Sequence, residues 1–167
     1  CSLKAGYHKK GMDFTQVQRS GTSRILQRGE SAALGQLATL KVKDTWRWKG
    51  GATKYLDASI LFFGFDAQKL EHVDYSSTSA YRGAVRHSGD VIGNNTGSHD
   101  VTVNLRRLPS RVQSCYVVLS AWLQTRLCDI VQPSITCSDS STGSEICRYE
   151  LTDKAHKLGA HKSVIMC

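Results

Sequence analysis

The sequence lacks any apolar run near the roughly 18 residues that span a bilayer, so we expect no transmembrane helix. It also lacks C-x-x-C spacing among its six cysteines, which argues against a zinc knuckle or a dithiol redox motif. Several cysteines, such as Cys115, lie in apolar runs, where a reduced thiol behaves as a small hydrophobic side chain. These features predict mostly reduced core thiols and an intracellular protein, in the cytoplasm or an organelle matrix, that is not secreted.

Motifs of catalysis and nucleotide binding are also missing. No glycine-rich loop ends in GKS or GKT, and no nucleophile elbow surrounds a serine. His87, Ser88 and Asp90 lie too close along one segment to form a catalytic relay. We therefore expect a protein that is not an enzyme.

Net positive charge is confined to the first third of the 167 residues. Residues 1–54 contain eleven Lys and Arg against three acidic residues, whereas residues 55–167 contain eleven of each sign. Residues 1–24 are rich in Lys, Ser and Gly without sustained periodicity, which predicts a basic extended arm ahead of one domain at 25–167. Because the chain begins at Cys1 and not methionine, we expect a processed form or a piece of a longer protein.

The cations of this region indicate a partner for the arm. A basic segment on a neutral domain contacts acidic partners such as RNA, a membrane surface or another protein, or else remains a solvated tail. The residues expected to contact such a partner are Lys9, Lys10, Arg19, Arg24 and Arg28.

Short alternating or apolar segments separated by polar turns fill the rest of the chain. In "LKVKDTWRW", Leu40, Val42 and Asp44 fall on one face of a strand. The segment "QSCYVVLSAWL" is apolar on both faces, which is typical of a central strand. A helix is possible at "TDKAHKLG", with Thr152 as its cap.

The spacing of these segments predicts an all-β protein, an antiparallel β-sandwich. The residues expected in its core are Leu61, Phe63, Val103, Val117 and Leu119.

The segment "RHSGDVIGNNTGSHD" at 86–100 contains acidic, amide and glycine residues of the kind that hold calcium. Asp90 and Asp100 lie near its two ends, Asn95 offers a neutral oxygen, and Asp57 could add a carboxylate from a neighbouring strand. A plain turn remains the other interpretation, since such residues are common in loops between strands. A phosphate-binding loop is disfavoured because a strand, and not a helix, follows. His87 and His99 are interpreted here as surface-loop histidines.

The order of the segments resembles the TerD family of tellurium-resistance and stress-response proteins. "LQRGESAAL", a tryptophan segment, "LDASILFFG", "GAVRHSGD", "VTVNLRRLPSRVQSCYVVLSAW" and "ICRYEL" follow one another as the corresponding family segments do, over residues 25–167. The resemblance implies a β-sandwich that holds calcium in acidic loops at one end.

The acidic residues implied by this resemblance are only partly retained. Asp57 matches the second aspartate of the family's "DLDAS", but Tyr55 stands at the first. The family's "GDDE" is matched by "GSHD" at 97–100, in which Asp100 alone is acidic, and Lys49 stands where an acid is expected. Because ligand charge tunes calcium affinity, we expect calcium binding to be weak, with Kd on the order of 10⁻⁴ M or poorer, or lost.

Two functions therefore remain open. The first is a scaffold or docking subunit of a larger assembly, in which the sandwich is a rigid block and the arm contacts other proteins or RNA. The second is a calcium-binding stress-response or regulatory module, which the presence of Asp57, Asp90 and Asp100 keeps open.

Overall fold

Alternating and apolar segments form the strands of a β protein. The computed structural model describes residues 3–4, 23–27, 30–151 and 161–166. The strands in these residues are β1 (Leu3–Lys4), β2 (Arg24–Leu26), β3 (Thr39–Trp48), β4 (Leu56–Phe63), β5 (Lys69–Val73), β6 (Ser79–Ala80), β7 (Val85–His87), β8 (Val91–Ile92), β9 (Thr96–Asn104), β10 (Ser114–Ala121), β11 (Ile130–Asp139), β12 (Glu145–Glu150) and β13 (Ser163–Ile165). Short 3-10 turns lie at Tyr81–Gly83, Leu105–Arg107 and Leu127–Asp129.

The strands form two sheets, and the prediction of a β-sandwich is confirmed. The larger sheet has eight strands in the order β2-β12-β11-β3-β9-β7-β6, with β8 also beside β9. The smaller sheet has five, with β10 between β4 on one side and β1 and β13 on the other, and with β5 beyond β4. All neighbouring strands are antiparallel except β2 and β12, which run parallel.

The core lies between the two sheets and consists of the side chains on the inward face of each sheet. Val103, Val117 and Leu119 are buried there as predicted, and Leu40, Val42 and Asp44 share the buried face of β3. The prediction of a central position for the apolar segment at 113–123 also holds, because β10 is paired on both edges.

The expected core residues of β4 are wrong by one position. Ile60 and Phe62 are 1 % and 0 % exposed, whereas Leu61 and Phe63 are half-buried on the outer face. There the Phe63 ring makes an edge-to-face contact with Tyr116 at 5.5 Å. Residues 60–63 are all apolar, so this stretch carries no alternation from which the inward face could be chosen.

Other predictions concern the ends of the chain and the cysteines. Leu3–Lys4, within the expected arm, form a strand beside β10, and the expected helix at 152–159 lies outside the described residues. Cys137 lies directly opposite Cys147 on β11 and β12, and both are thiols. Among the described residues no helix is long and apolar enough to cross a membrane.

A close approach between β3 and β9 shapes the end of the core next to the loop at 86–100. Trp46 faces Gly97 across the strands, and its ring lies where a side chain at 97 would be: a Cβ there would be 2.1 Å from the indole. The indole Nε1–H donates to the carbonyl of Lys54 at 2.9 Å, which holds the ring in this position. The absence of a side chain at 97 is therefore a packing requirement.

We expect Gly97→Ala to lower the free energy of unfolding by about 1–3 kcal/mol, because the added methyl group overpacks the site of the Trp46 ring. Urea unfolding followed by tryptophan fluorescence measures this change. Ser98→Ala, at the neighbouring outward-facing position of β9, is the control and should unfold like the wild type. Equal stability of Gly97→Ala and wild type would contradict the packing described here.

Candidate metal centre

The segment at 86–100 is mainly a β-hairpin, with one irregular stretch that carries an acid. Strands β8 and β9 form the hairpin, and Ile92 and Gly97 are its last paired residues before the turn. The amide of Gly93 donates to the carbonyl of Thr96 at 2.8 Å and closes the turn. Between β7 and β8, residues 88–90 leave the ladder; Gly89 turns the chain there with φ of 75°. This departure from the strand brings Asp90 over the end of the core.

Three side chains from different parts of the fold converge at this place. Asp57 comes from β4 of the smaller sheet, His99 from β9 of the larger sheet, and Asp90 from the stretch between β7 and β8. One oxygen or nitrogen atom from each lies within 4.8 Å of the others. Asp57 is 8 % exposed, His99 is fully buried, and the Asp90 side chain is 34 % exposed. The group thus spans both sheets and opens to solvent on the side of Asp90.

A carboxylate behind His99 orients its ring. Asp44 lies directly opposite His99 on β3, and both of its oxygens are 3.1 Å from Nδ1 of the imidazole. The other ring nitrogen, Nε2, is 2.7 Å from Oδ1 of Asp90. The hydrogen bond to Asp44 holds a proton on Nδ1 and directs Nε2 at Asp90, to which Nε2–H donates when the ring is protonated.

Aromatic and histidine neighbours hold this arrangement in place. The Trp46 ring stacks on His99 with ring centroids 5.0 Å apart. The His87 ring also lies with its centroid 5.0 Å from that of His99; its Nδ1 accepts from the amide of Gly89 and its Nε2–H donates to the carbonyl of Ala58. Burial lowers the pKa of His87, so this ring is neutral and connects β7 to β4 without adding charge.

The electrostatics of the group favour a cation. Burial raises the pKa of Asp57 to about 6, and the negative charge of Asp90 adds to the effect. Burial also raises the pKa of Asp44. For His99, burial opposes the charged form, but the hydrogen bond and attraction of Asp44, followed by those of Asp90, raise its pKa overall. A positive charge at this place, whether a proton or a metal ion, offsets the repulsion between carboxylates.

The structure separates the sequence-predicted ligands into two sets. Asp57 and Asp90 lie in the group. Asp100 points from β9 to the outer face, where its carboxylate is 3.0 Å from the ammonium group of Lys41. Asn95 is an exposed residue at the hairpin tip with φ of 55°, and its carbonyl accepts from the amide of Trp48.

The interpretation of His87 and His99 as surface-loop histidines is wrong, since both are buried. His99 is in phase with Val101 and Val103, whose alternation extends back along β9 to Gly97. Asp44 is in phase with Leu40 and Val42 in the same way. Both residues could therefore have been predicted as buried, because each is an ionisable residue on the apolar face of a strand. A buried charge requires a partner, which would have pointed to contact between them.

The cations predicted to contact a partner are mostly outside the described residues. These are Lys9, Lys10, Arg19 and Arg28. Arg24 lies in β2, and its guanidinium is 3.3 Å from the carboxylate of Glu30. Arg24 is thus part of the larger sheet and carries its charge next to an acid.

The sequence model of the TerD domain matches residues 23–167. The chain belongs to the TerD family. It is 27 % identical over 113 residues to the tellurium resistance protein TerZ of Serratia marcescens, a match that covers 66 % of this chain and 56 % of TerZ. The chain therefore spans little more than half the length of that relative. Its fold resembles the crystal structure of SAV2460, a protein of unknown function, with a TM-score of 0.59, 15 % identity, and coverage of 77 % and 78 % of the two chains.

The donors of this TerD domain match a divalent cation, but they depart from what calcium prefers. Calcium takes about six to eight oxygen ligands, whereas the group offers carboxylate oxygens from Asp57 and Asp90 and a nitrogen from His99. From residues 97–100 of β9, His99 faces this place and the acid Asp100 faces away. The residues present thus form a metal-type cluster of mixed nitrogen and oxygen donors.

We expect Asp44→Ala to destabilise the TerD domain by about 3 kcal/mol or more, because it removes the buried carboxylate that accepts from Nδ1 of His99 and leaves that nitrogen without a partner inside the core. Asp100→Ala is the control, since Asp100 follows His99 in β9 but forms a half-exposed ion pair with Lys41 on the outer face. Its loss should change the free energy of unfolding by less than about 1 kcal/mol. Chemical denaturation of both variants in the presence of a chelator gives the comparison. Similar losses in the two variants would contradict a special role for the inner pair.

Proposed function

We propose that this TerD domain is a non-catalytic module that binds a divalent metal ion through Asp57, Asp90 and His99. The observation that carries the proposal is the convergence of these three donors, within 4.8 Å, at a place where the buried carboxylate of Asp57 is repelled by the more exposed carboxylate of Asp90. A bound cation relieves that repulsion, which gives the folded protein a reason to favour the metal-bound state. Sequence reasoning adds that no nucleophile or acid–base motif accompanies the group.

The consequence of binding follows from the position of the ligands. Asp57 belongs to the smaller sheet and His99 to the larger one, so a metal ion between them links the sheets at one end of the sandwich. Binding to the native state alone stabilises it by RT ln(1 + [L]/Kd), about 2.7 kcal/mol when the metal is at 100 times its Kd. We infer a regulatory or stress-response role in which metal supply sets the stability of this end of the domain.

We expect a divalent metal to raise the melting temperature of the chelator-treated full chain, and Asp57→Asn and Asp90→Asn each to abolish that rise. Differential scanning calorimetry with Ca²⁺, Mg²⁺, Mn²⁺, Co²⁺ and Zn²⁺, added singly under reducing conditions, makes the measurement. Asp100→Asn is the matched control, because its carboxylate faces Lys41 on the outer surface and should leave the rise intact. Failure of every ion in the series to stabilise the wild type would reject a metal-binding function.

We propose docking within a larger assembly as a second function, and an exposed aromatic patch supports it. Tyr75, Trp122 and Leu123 are 47 %, 44 % and 70 % exposed, and the two rings are 5.4 Å apart. The patch is joined to the chain just ahead of β4: the amide of Trp122 donates to the carbonyl of Tyr55, two residues before Asp57. Clustered apolar residues on a surface are typical of contacts with other proteins.

The basic arm extends this second proposal to an acidic partner, for which RNA is the candidate. Basic segments gain affinity for acidic partners mainly through charge, and residues 1–24 contain five Lys and Arg against one acidic residue. The described cysteines are thiols, which is consistent with an intracellular setting where RNA and protein assemblies occur.

We expect the triple change Lys9→Glu, Lys10→Glu and Arg19→Glu to weaken binding of a single-stranded RNA to the full chain and to flatten its salt dependence. Removing one phosphate interaction reduces the slope of log K against log salt by about 0.7. Fluorescence anisotropy at low and moderate salt measures both quantities. A charge-matched triple change on the sandwich, at the exposed residues Lys69, Arg106 and Arg111, should have less effect. Equal losses of RNA affinity in the two triple variants would show that RNA responds to the net charge of the whole chain and that the arm has no specific role in binding.

A further inference from the structure

We propose that the metal centre is selective for a borderline ion of the Zn²⁺ and Co²⁺ type over Ca²⁺, with Nε2 of His99 as the ligand that decides the selectivity. The inference rests on the proposed function, since it names the class of metal that the same centre takes. It follows from the chemistry of the donor atoms and from the way the imidazole is held.

The donor set is that of a borderline metal. Imidazole nitrogen is a good ligand for Zn²⁺, Co²⁺ and Ni²⁺, whereas Ca²⁺ selects oxygen and requires more ligands than three residues supply. Zinc sites with an open position commonly use three protein ligands that mix histidine and carboxylate. Asp57, Asp90 and His99 form such a set.

The spacing of the donors suits a small ion after minor adjustment. Bonds of about 2.1 Å in tetrahedral geometry separate neighbouring ligand atoms by roughly 3.4 Å, and the three donor atoms already lie within 4.8 Å of one another. Nε2 of His99 and Oδ1 of Asp90 are 2.7 Å apart in a hydrogen bond, so these two atoms would move apart by about 0.7 Å to hold one ion between them. The metal would take the place of the hydrogen that now joins them.

Asp44 supplies the outer contact that a metal-binding histidine needs. A histidine that ligates a metal usually donates its other N–H to a carboxylate or a carbonyl, which fixes the tautomer and raises the basicity of the ligating nitrogen. Both oxygens of Asp44 are 3.1 Å from Nδ1 of His99, and Asp44 is 2 % exposed. Asp44 is therefore a positioning residue, one step removed from the metal.

The ring is also held rigidly enough to discriminate between ions. Trp46 stacks on one face of His99 at 5.0 Å, and the side chain of Trp46 is itself confined by Gly97 and by its bond to Lys54. A fixed imidazole cannot turn aside to admit a larger ion with an oxygen-only shell. The exposed side of Asp90 leaves room for water to complete the coordination.

Cysteine is the rival zinc ligand in this chain, and the experiment must separate it from His99. Cys137 and Cys147 are buried thiols on β11 and β12. A thiolate bound to Co²⁺ gives a strong charge-transfer absorption, which nitrogen and oxygen ligands do not give. The site of binding is read from the nitrogen-15 resonances of the histidine rings, because metal binding at Nε2 of His99 shifts that nitrogen and leaves Nδ1 protonated.

The test uses the chelator-treated, reduced full chain, titrated separately with ZnCl₂, CoCl₂ and CaCl₂ in a calorimeter. We expect Zn²⁺ and Co²⁺ to bind at least tenfold more tightly than Ca²⁺, without thiolate absorption in the Co²⁺ form and with a shift at Nε2 of His99. Asp44→Asn should weaken Zn²⁺ by about 10- to 100-fold and disturb the histidine nitrogen spectrum before metal is added. His99→Asp should bring the Zn²⁺ to Ca²⁺ affinity ratio down at least tenfold, by making every donor an oxygen.

His99→Asp places a third acid in a buried site and can fail to fold, so the wild-type affinity ratio and Asp44→Asn decide the matter on their own. Tighter binding of Ca²⁺ than of Zn²⁺ by the wild type would overturn the selectivity and leave the metal-binding function standing. Thiolate absorption, or Zn²⁺ binding without a shift at His99, would overturn the assignment of the ligand. Absence of binding by all three ions would overturn the inference, and the five-ion stability series decides whether the proposed function falls with it.

Discussion

The buried pair of Asp44 and His99 is the constraint on which this end of the sandwich depends. Two ionisable side chains lie opposite each other inside the core, and neither is stable there without the other. The pair fixes the direction of the imidazole, and Trp46 stacks on the ring. Gly97 is needed in turn, because the indole occupies the space beside it. A polar contact thus determines how the adjoining apolar residues pack.

The same pair connects the two sheets electrostatically. Nε2 of His99 meets Asp90 from the stretch between β7 and β8, and Asp57 approaches the same ring from the smaller sheet. Burial and mutual repulsion hold the pKa of Asp57 near 6. The aromatic patch of Tyr75 and Trp122 is joined to the chain just ahead of β4. The proposed metal site and the proposed docking surface therefore involve neighbouring segments of the chain.

The centre departs from an oxygen-only calcium site in a consistent way. Where the resemblance to TerD proteins implied a run of acids, β9 presents His99 inward and Asp100 outward to Lys41. The loss of acids, taken from the sequence alone, indicated a weakened calcium site. The geometry adds that His99, backed by Asp44, lies beside Asp57 and Asp90; our proposal that the centre prefers a borderline ion to calcium rests on this nitrogen donor.

What the sequence determined by itself was the architecture and two of the three residues of the cluster formed by Asp57, Asp90 and His99. Period-two alternation identified the inward faces of β3 and β9, and the order of segments indicated the TerD sandwich and the acids Asp57 and Asp90, because these signals are local. The inward face of β4 and the burial of His99 were decided by tertiary structure. Residues 60–63 are apolar on both faces, and a histidine beside glycine and serine looks like part of a loop until β9 pairs with β3. The meeting of Asp57 with Asp90 depends on how two sheets pack, which no local pattern records.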